Sequence, residues 1–331
     1  MTTPVVPADP RAIDRAAHLL REGRLVAFPT ETVYGLGADA ASPEAVRRIF
    51  RAKGRPANHP VIVHLASAED VPRWARDVGA DADKLARRFW PGPLTLILPR
   101  ATHVSDVVTG GQDTVGLRVP SHPVAAALLR AFGGGIAAPS ANRFGHVSAT
   151  TATHVLQDLA DAVALVLDGG ECEVGIESTI VALCGGPAVL LRPGRIGIDS
   201  LAATLGYVPD TRTSGAPRAP GTLESHYAPR TPAWLVPPDA LRAECERLME
   251  RDEVVGVLAR TVQHAEDFDG VWMTAPSDSV GYAHALYANL RSLDAANVDV
   301  ILIERVPEDS DWLAIHDRLT RAARGDADDR D

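Results

Sequence analysis

Spacing is the strongest constraint on the fold. The apolar runs STIVAL (178–183) and AVLLR (188–192) stand only a few residues apart, too close for the dozen or more residues that a parallel crossover needs. Other runs are separated by segments of helical period. Ile13, Ala16, Ala17 and Leu20 share one helical face with Gly23 as a stop, and RLVAF (24–28) then reads as a strand. Ser42-Pro43 supplies an N-cap and a first-turn proline, Val46, Ile49 and Phe50 form a buried stripe, and Gly54 ends the helix before the strand PVIVHL (60–65). LTLIL (94–98), VGLRV (115–119), GIAA (135–138) and AVALVL (162–167) are further strands, with helices near 122–132 and 151–160. Both kinds of connection in one domain predict an α/β fold with a mixed sheet.

The chain has 331 residues, more than a single core usually organises, so two domains are expected. The stretch from Gly206 to Pro229, GYVPDTRTSGAPRAPGTLESHYAP, has linker composition. Beyond it AWLV, VVGVLA (254–259), GVWM and VDVILIE (298–304) alternate with helices at 239–250, 282–295 and 312–324, as in βαβ units. The expected organisation is a first domain over 1–205, a linker over 206–230 and a smaller α/β domain over 231–331. No internal repeat links the two parts.

Hydrophobic residues at 46% and charged residues at 23% are ordinary for a globular chain and exclude disorder throughout. The net charge of -10, from 43 acids against 33 bases, repels polyanions, so weak or no direct nucleic-acid binding is expected. No apolar run approaches the roughly 18 residues of a membrane span, and the opening MTTPVVPADP lacks the features of a signal peptide. Cys172, Cys184 and Cys245 contain no C-x-x-C pair, which argues against a disulfide framework and a thiolate zinc site. A cytoplasmic location is expected.

No G-x-x-x-x-G-K-[ST] motif occurs, which removes P-loop chemistry. Gly35-Leu36-Gly37-Ala38-Asp39-Ala40 matches G-x-G-x-x-A, but it lies six residues beyond the strand ending at Phe28 and lacks the later acid of a dinucleotide site. Pro29-Thr30-Glu31-Thr32-Val33-Tyr34-Gly35-Leu36-Gly37 puts two hydroxyls, a carboxylate and a phenol in a turn after a buried strand. It is either a ligand loop or a turn whose threonines bond their own backbone. Lys53 and Arg55 are either ordinary helix-end cations or, with His64, a polyphosphate cradle. Ser140 and Asn142 follow GIAA at a strand end, Glu177-Ser178-Thr179 and Arg192-Pro193-Gly194 repeat that theme, and Arg118, set in an apolar strand, calls for a buried or cleft-facing ion pair.

PTETVYGLG (29–37), KGRP (53–56), PVIVHL, WPGPLT (90–95), TVGLRVP (114–120), APSAN (138–142), GIESTI (175–180) and LLRPG (190–194), in this order and spacing, resemble the YrdC/Sua5 family of threonylcarbamoyl-AMP synthases. The match covers roughly residues 10–200, and SHYAP (225–229) followed by a small α/β domain resembles the longer, two-domain Sua5 form. The resemblance implies a YrdC-like twisted, mixed open sheet with a concave ligand face, plus a smaller C-terminal Rossmann-like domain. It implies that L-threonine, bicarbonate and ATP with Mg2+, held mainly through the phosphates, give threonylcarbamoyl-AMP and pyrophosphate. A transferase complex then builds N6-threonylcarbamoyladenosine at position 37 of ANN-decoding tRNAs.

Carried over by motif, the residues on ATP are Lys53, Arg55, Ser140 and Asn142, joined by His59, Thr114, Ser148, Arg192 and Tyr227. Those on threonine are Thr32, His64, Arg118, Ala138 and Ser178. His59 stands where relatives commonly carry Asn, and Arg143-Phe144 and Ala149 replace residues that are often small and Pro, respectively. The resemblance implies no protein nucleophile, with Lys53 and Arg55 acting electrostatically. Segment 206–230 is expected to fold across the cleft as a lid, with Tyr227 at the nucleotide. The rival readings are a noncatalytic RNA-binding module, disfavoured by the net charge, and a carbamoyl-transfer domain of the hydrogenase-maturation type, whose acylphosphatase-like and zinc-finger parts this chain lacks.

Overall fold

A computed structural model describes residues 3–212, 214–221, 226–264 and 268–323. The chain divides into two compact units, Met1–Phe144 with Ser148–Thr222 and Gly145–Val147 with Leu223–Asp331. Among the described residues, the first unit carries β1 (Val5–Pro7), β2 (Val26–Phe28), β3 (Gly35–Asp39), β4 (Ile62–His64), β5 (Leu94–Pro99), β6 (Thr114–Arg118), β7 (Ile136–Ala137), β8 (Leu165–Asp168), β9 (Thr179–Ala182) and β10 (Val189–Arg192). They form one sheet in the order β1-β8-β2-β3-β7-β4-β6-β5-β9-β10. It is mixed, as the spacing requires: β9 and β10 pair antiparallel across their short connection, whereas β4 and β6 pair parallel.

Side chains alternate between the faces of this sheet. Val63, Leu96, Leu98, Val115, Leu117, Ala137 and Val181 enter the main core, together with Val46, Ile49 and Phe50 of the helix Pro43–Lys53. Ile62, Ile97, Ile180, Ala182 and Leu191 make a second, smaller cluster on the other face, covered by Ala219 and Ala216. That second face carries the polar residues considered below. Register places Ile62 beside Gly116, His64 beside Arg118, and Thr95 beside Ile180.

The expected loop over 29–37 needs correction, because its end is strand β3, antiparallel to β2 and β7. A Cβ at Gly37 would lie 2.8 Å from Phe28 Cε1 and 3.1 Å from the Val26 carbonyl oxygen. The glycine that suggested a turn is thus what lets two strands pack closely.

The second unit has a parallel sheet of β11 (Ala233–Val236), β12 (Val255–Ala259), β13 (Val271–Thr274) and β14 (Val300–Glu304), in the order β11-β14-β12-β13. Helices Leu241–Met249, Ser279–Asp294 and Leu313–Ala322 accompany it. Glu304 is fully buried and accepts backbone N–H bonds from Arg260 at 2.6 Å, Thr261 at 2.8 Å and Val262 at 3.1 Å. The place at the strand ends where such sheets commonly take an anion is therefore filled by the protein's own carboxylate. No described helix is long and apolar enough to cross a membrane.

Candidate active site

The helix Pro43–Lys53 delivers the first group. Ser42 caps its start, and Gly54 ends it in the left-handed conformation at φ 64, turning the chain between Lys53 and Arg55. Lys53 is buried, and its Nζ donates to the carbonyls of Ser140, at 2.6 Å, and Asn142. Phe144 N–H returns a bond to the Lys53 carbonyl at 2.9 Å, so the APSAN loop is clasped to the helix end. Burial, followed by the charge of Arg55, pushes the Lys53 ammonium well below its ordinary pKa. Arg55 donates to the Pro60 carbonyl at 2.7 Å and lies 5.6 Å from the centre of the Phe144 ring. His59 meets the same ring edge-on at 5.4 Å, and burial and Arg55 lower its pKa. Phe144, a departure from the usual small residue, is thus the shared packing surface of Arg55 and His59. His64 does not join this group. It belongs to the second one.

That second group sits on the sheet face. Arg118 Nη2 is 2.8 Å from Glu31 Oε1, both side chains being about 5% exposed, which is the ion pair expected of an arginine in an apolar strand. Arg118 Nη1 donates to Thr32 Oγ1 at 2.9 Å. Thr32 Oγ1 lies 2.9 Å from Thr30 Oγ1, which in turn reaches the Val33 carbonyl at 2.7 Å. Each hydroxyl has one proton, so Thr30 donates to Val33, Thr32 donates to Thr30, and Thr32 keeps only an acceptor position outward. Burial opposes charge on Glu31, yet Arg118 holds its carboxyl below the ordinary range. His64, 3% exposed, has its pKa lowered to about 3 by burial and by Arg118, so its ring is neutral. Its Nδ1 has no hydrogen-bond partner among the described residues.

Ser178 and Arg192 form a third group. Ser178 Oγ lies 2.8 Å from Thr95 Oγ1. Arg192 donates to the Ser178 carbonyl at 2.9 and 3.1 Å, to Ser178 Oγ at 3.1 Å, and to the Pro220 carbonyl at 3.0 Å. A register shift between Leu190 and Arg192 aims that side chain. The close approach of the RPG turn also depends on Gly194, where a Cβ would lie 2.4 Å from Thr179 N. Ser148, fully buried, donates to Glu177 Oε1 at 2.6 Å. Thr114 begins β6 on the same face as Arg118, and Ala138 N–H bonds the Ile62 carbonyl at 3.0 Å at the edge of that face.

Tyr227 belongs to the second unit. It is 1% exposed, stacks on Tyr287 at 5.8 Å and lies under Arg318 at 5.1 Å. Ser225 of SHYAP lies outside the described residues. Spacing places Glu31 and Glu177 in polar strand-end clusters without naming a partner, and gives Thr95 of WPGPLT no role. The structure gives each a bond to a candidate site residue.

Comparison with known proteins places both units. Residues 18–194 match the Sua5/YciO/YrdC family model, described as "Telomere recombination". Residues 196–324 match "Threonylcarbamoyl-AMP synthase, C-terminal domain". The threonylcarbamoyl-AMP synthase of Pyrococcus abyssi is 42% identical over 319 residues, 93% of each chain. That of Bacillus subtilis is 40% identical over 331 residues, covering 96% of this chain and 94% of the relative. The crystal structure of P. abyssi Sua5 complexed with L-threonine superposes with a TM-score of 0.90 at 39% identity, covering 97% of this chain and 98% of that one.

Proposed function

The chain belongs to the Sua5/YciO/YrdC family, and from that premise we propose that it is a threonylcarbamoyl-AMP synthase, a nucleotidyltransferase that uses L-threonine, bicarbonate and ATP. The observation that carries this reading is the Arg118, Thr32 and His64 group on one sheet face. A guanidinium matches a carboxylate, an outward acceptor matches an ammonium or hydroxyl, and a neutral imidazole adds no second positive charge.

The reaction needs no nucleophile from the protein. The threonine amine takes up CO2 from bicarbonate with loss of water, and the resulting N-carboxylate attacks the α-phosphorus of ATP in line and expels pyrophosphate. What the protein supplies is placement and charge neutralisation. Lys53 and Arg55 take the phosphate charge, with Ser140, Asn142, Ser148, Thr114, His59 and Arg192 around the nucleotide. Two buried cations repel a bare divalent ion, so the donor set fits Mg2+ that arrives on the phosphate oxygens of ATP. Residues 216–220 of the linker, packed on the sheet face through Ala219, act as the closing element. The product goes to a transferase complex that modifies position 37 of ANN-decoding tRNAs in the cytoplasm.

The test is pyrophosphate release from ATP, with threonine and bicarbonate omitted in turn. Release should require both. An undiminished rate without threonine would overturn the reading.

A further inference from the structure

Glu31 is a buried carboxylate that the proposed reaction does not use. It is fixed from both directions. Its own carbonyl accepts from Val174 N–H at 2.8 Å, and its carboxylate meets Arg118 at 2.8 Å with both residues 4% exposed. Arg118 has a long stem, and its remaining contacts are Thr32 at 2.9 Å and a long one from Nε to the Gly92 carbonyl at 3.4 Å. The ion pair at Nη2 adds a charge anchor to the bond at Nη1, so both ends of the fork are held.

Charge leads to the same residue. Arg118 is positive, its strand neighbour His64 is neutral, and Glu31 balances the pair. A site with one buried positive and one buried negative group is neutral before and after it takes an amino-acid zwitterion. Without the carboxylate it would carry a net positive charge in a region largely closed to water, and would favour a simple monoanion.

We propose that Glu31 is a positioning residue that acts through Arg118: it fixes the plane of the guanidinium and makes the pocket selective for a zwitterionic amino acid over the corresponding hydroxy acid. This rests on the preceding assignment of Arg118 to the threonine carboxylate. Glu31 itself touches no reacting atom.

The experiment is calorimetric titration of the full-length protein with L-threonine and with 3-hydroxybutanoate, which has the same carboxylate and hydroxyl but no amine. The wild type should prefer threonine. In Glu31→Gln that preference should shrink at least tenfold, and in Glu31→Asp, which keeps the charge but shortens the arm, the preference should persist while threonine binds at least threefold more weakly. A non-hydrolysable ATP analogue should bind all three proteins alike.

A folded Glu31→Gln protein with the wild-type preference, or with equal losses for both acids, would overturn the proposal. Should Glu31→Gln fail to fold, Glu31→Asp decides, and unchanged threonine affinity there overturns it. A wild type that binds no threonine refutes the assignment of the pocket, a different outcome from failure at Glu31.

Discussion

Acid should destabilise the protein through His64. The ring is 3% exposed, and burial together with Arg118 lowers its pKa to about 3 from the ordinary 6.5. Between these values the unfolded chain binds a proton that the folded protein refuses. Stability therefore rises with pH across the window and is lost as pH falls from about 6.5 toward about 3. The limiting slope is about 1.4 kcal/mol per pH unit, which integrates to roughly 2 kcal/mol between pH 7 and pH 5. Urea denaturation of the wild type and of His64→Gln, which cannot titrate, isolates this term from the other groups of the chain. The wild type should lose about 2 kcal/mol more than the variant over that interval. Equal losses would mean that the imidazole is not held neutral, and the picture of an uncharged acceptor beside Arg118 would fall with it. Threonine affinity of the folded protein should stay constant over the same interval, because the ring keeps its neutral form there.

Other consequences are open to direct measurement. Lys53→Ala and Arg55→Ala should each lose at least about tenfold in adenylate formation with unchanged far-UV circular dichroism, because a charge-assisted contact contributes roughly 1.5–3 kcal/mol; full activity in a folded variant would remove that residue from the site. Serine should be tolerated as substrate and valine excluded, since a site that bonds a hydroxyl rejects an analogue lacking it; comparable turnover with valine would refute the pocket. Arg118→Lys keeps the charge but loses the fork that spans Glu31 and Thr32, so threonine-dependent pyrophosphate release should fall more than tenfold. Gly37→Ala would set a Cβ 2.8 Å from Phe28 Cε1 and should cost about 1–3 kcal/mol by urea denaturation.

The parts of this fold that were legible in sequence are those with apolar runs long enough to show a period. β4, β9 and β10 fall within runs read as strands, and β5 and β6 each overrun theirs by one residue. β3 was missed because Gly35 and Gly37 have no side chain to alternate, and β1, three residues at the sheet edge, has no pattern at all. The site shows the same division. Polar residues at strand ends stand out against apolar runs, so Arg118, His64 and Ser178 could be picked singly. Their partners could not, because nothing in local spacing couples Arg118 to Thr32 across 86 positions, or Thr95 to Ser178 across 83. The register of β5 on β9 brings Thr95 to Ser178, and the turn between β2 and β3 brings Thr32 to Arg118; both depend on the packing of the whole face.

The glycine- and proline-rich segment after Gly206 is the clearest case of composition describing a chain and misplacing its work. By composition it is a linker, yet Asp210 exchanges backbone bonds with Ala188 and Leu190, and Gln112 grips Arg218 through both of its backbone groups, at 2.7 and 3.1 Å. Ala219 is buried on Ile62, Ile97, Ile180 and Leu191, closing the apolar floor of the face that carries the site. Arg192 then ties this segment to Ser178, one guanidinium holding the Pro220 carbonyl on one side and the serine carbonyl and hydroxyl on the other. The segment thus packs against the face that carries the candidate site residues, held there by Ala219 and by the bond from Arg192 to Pro220.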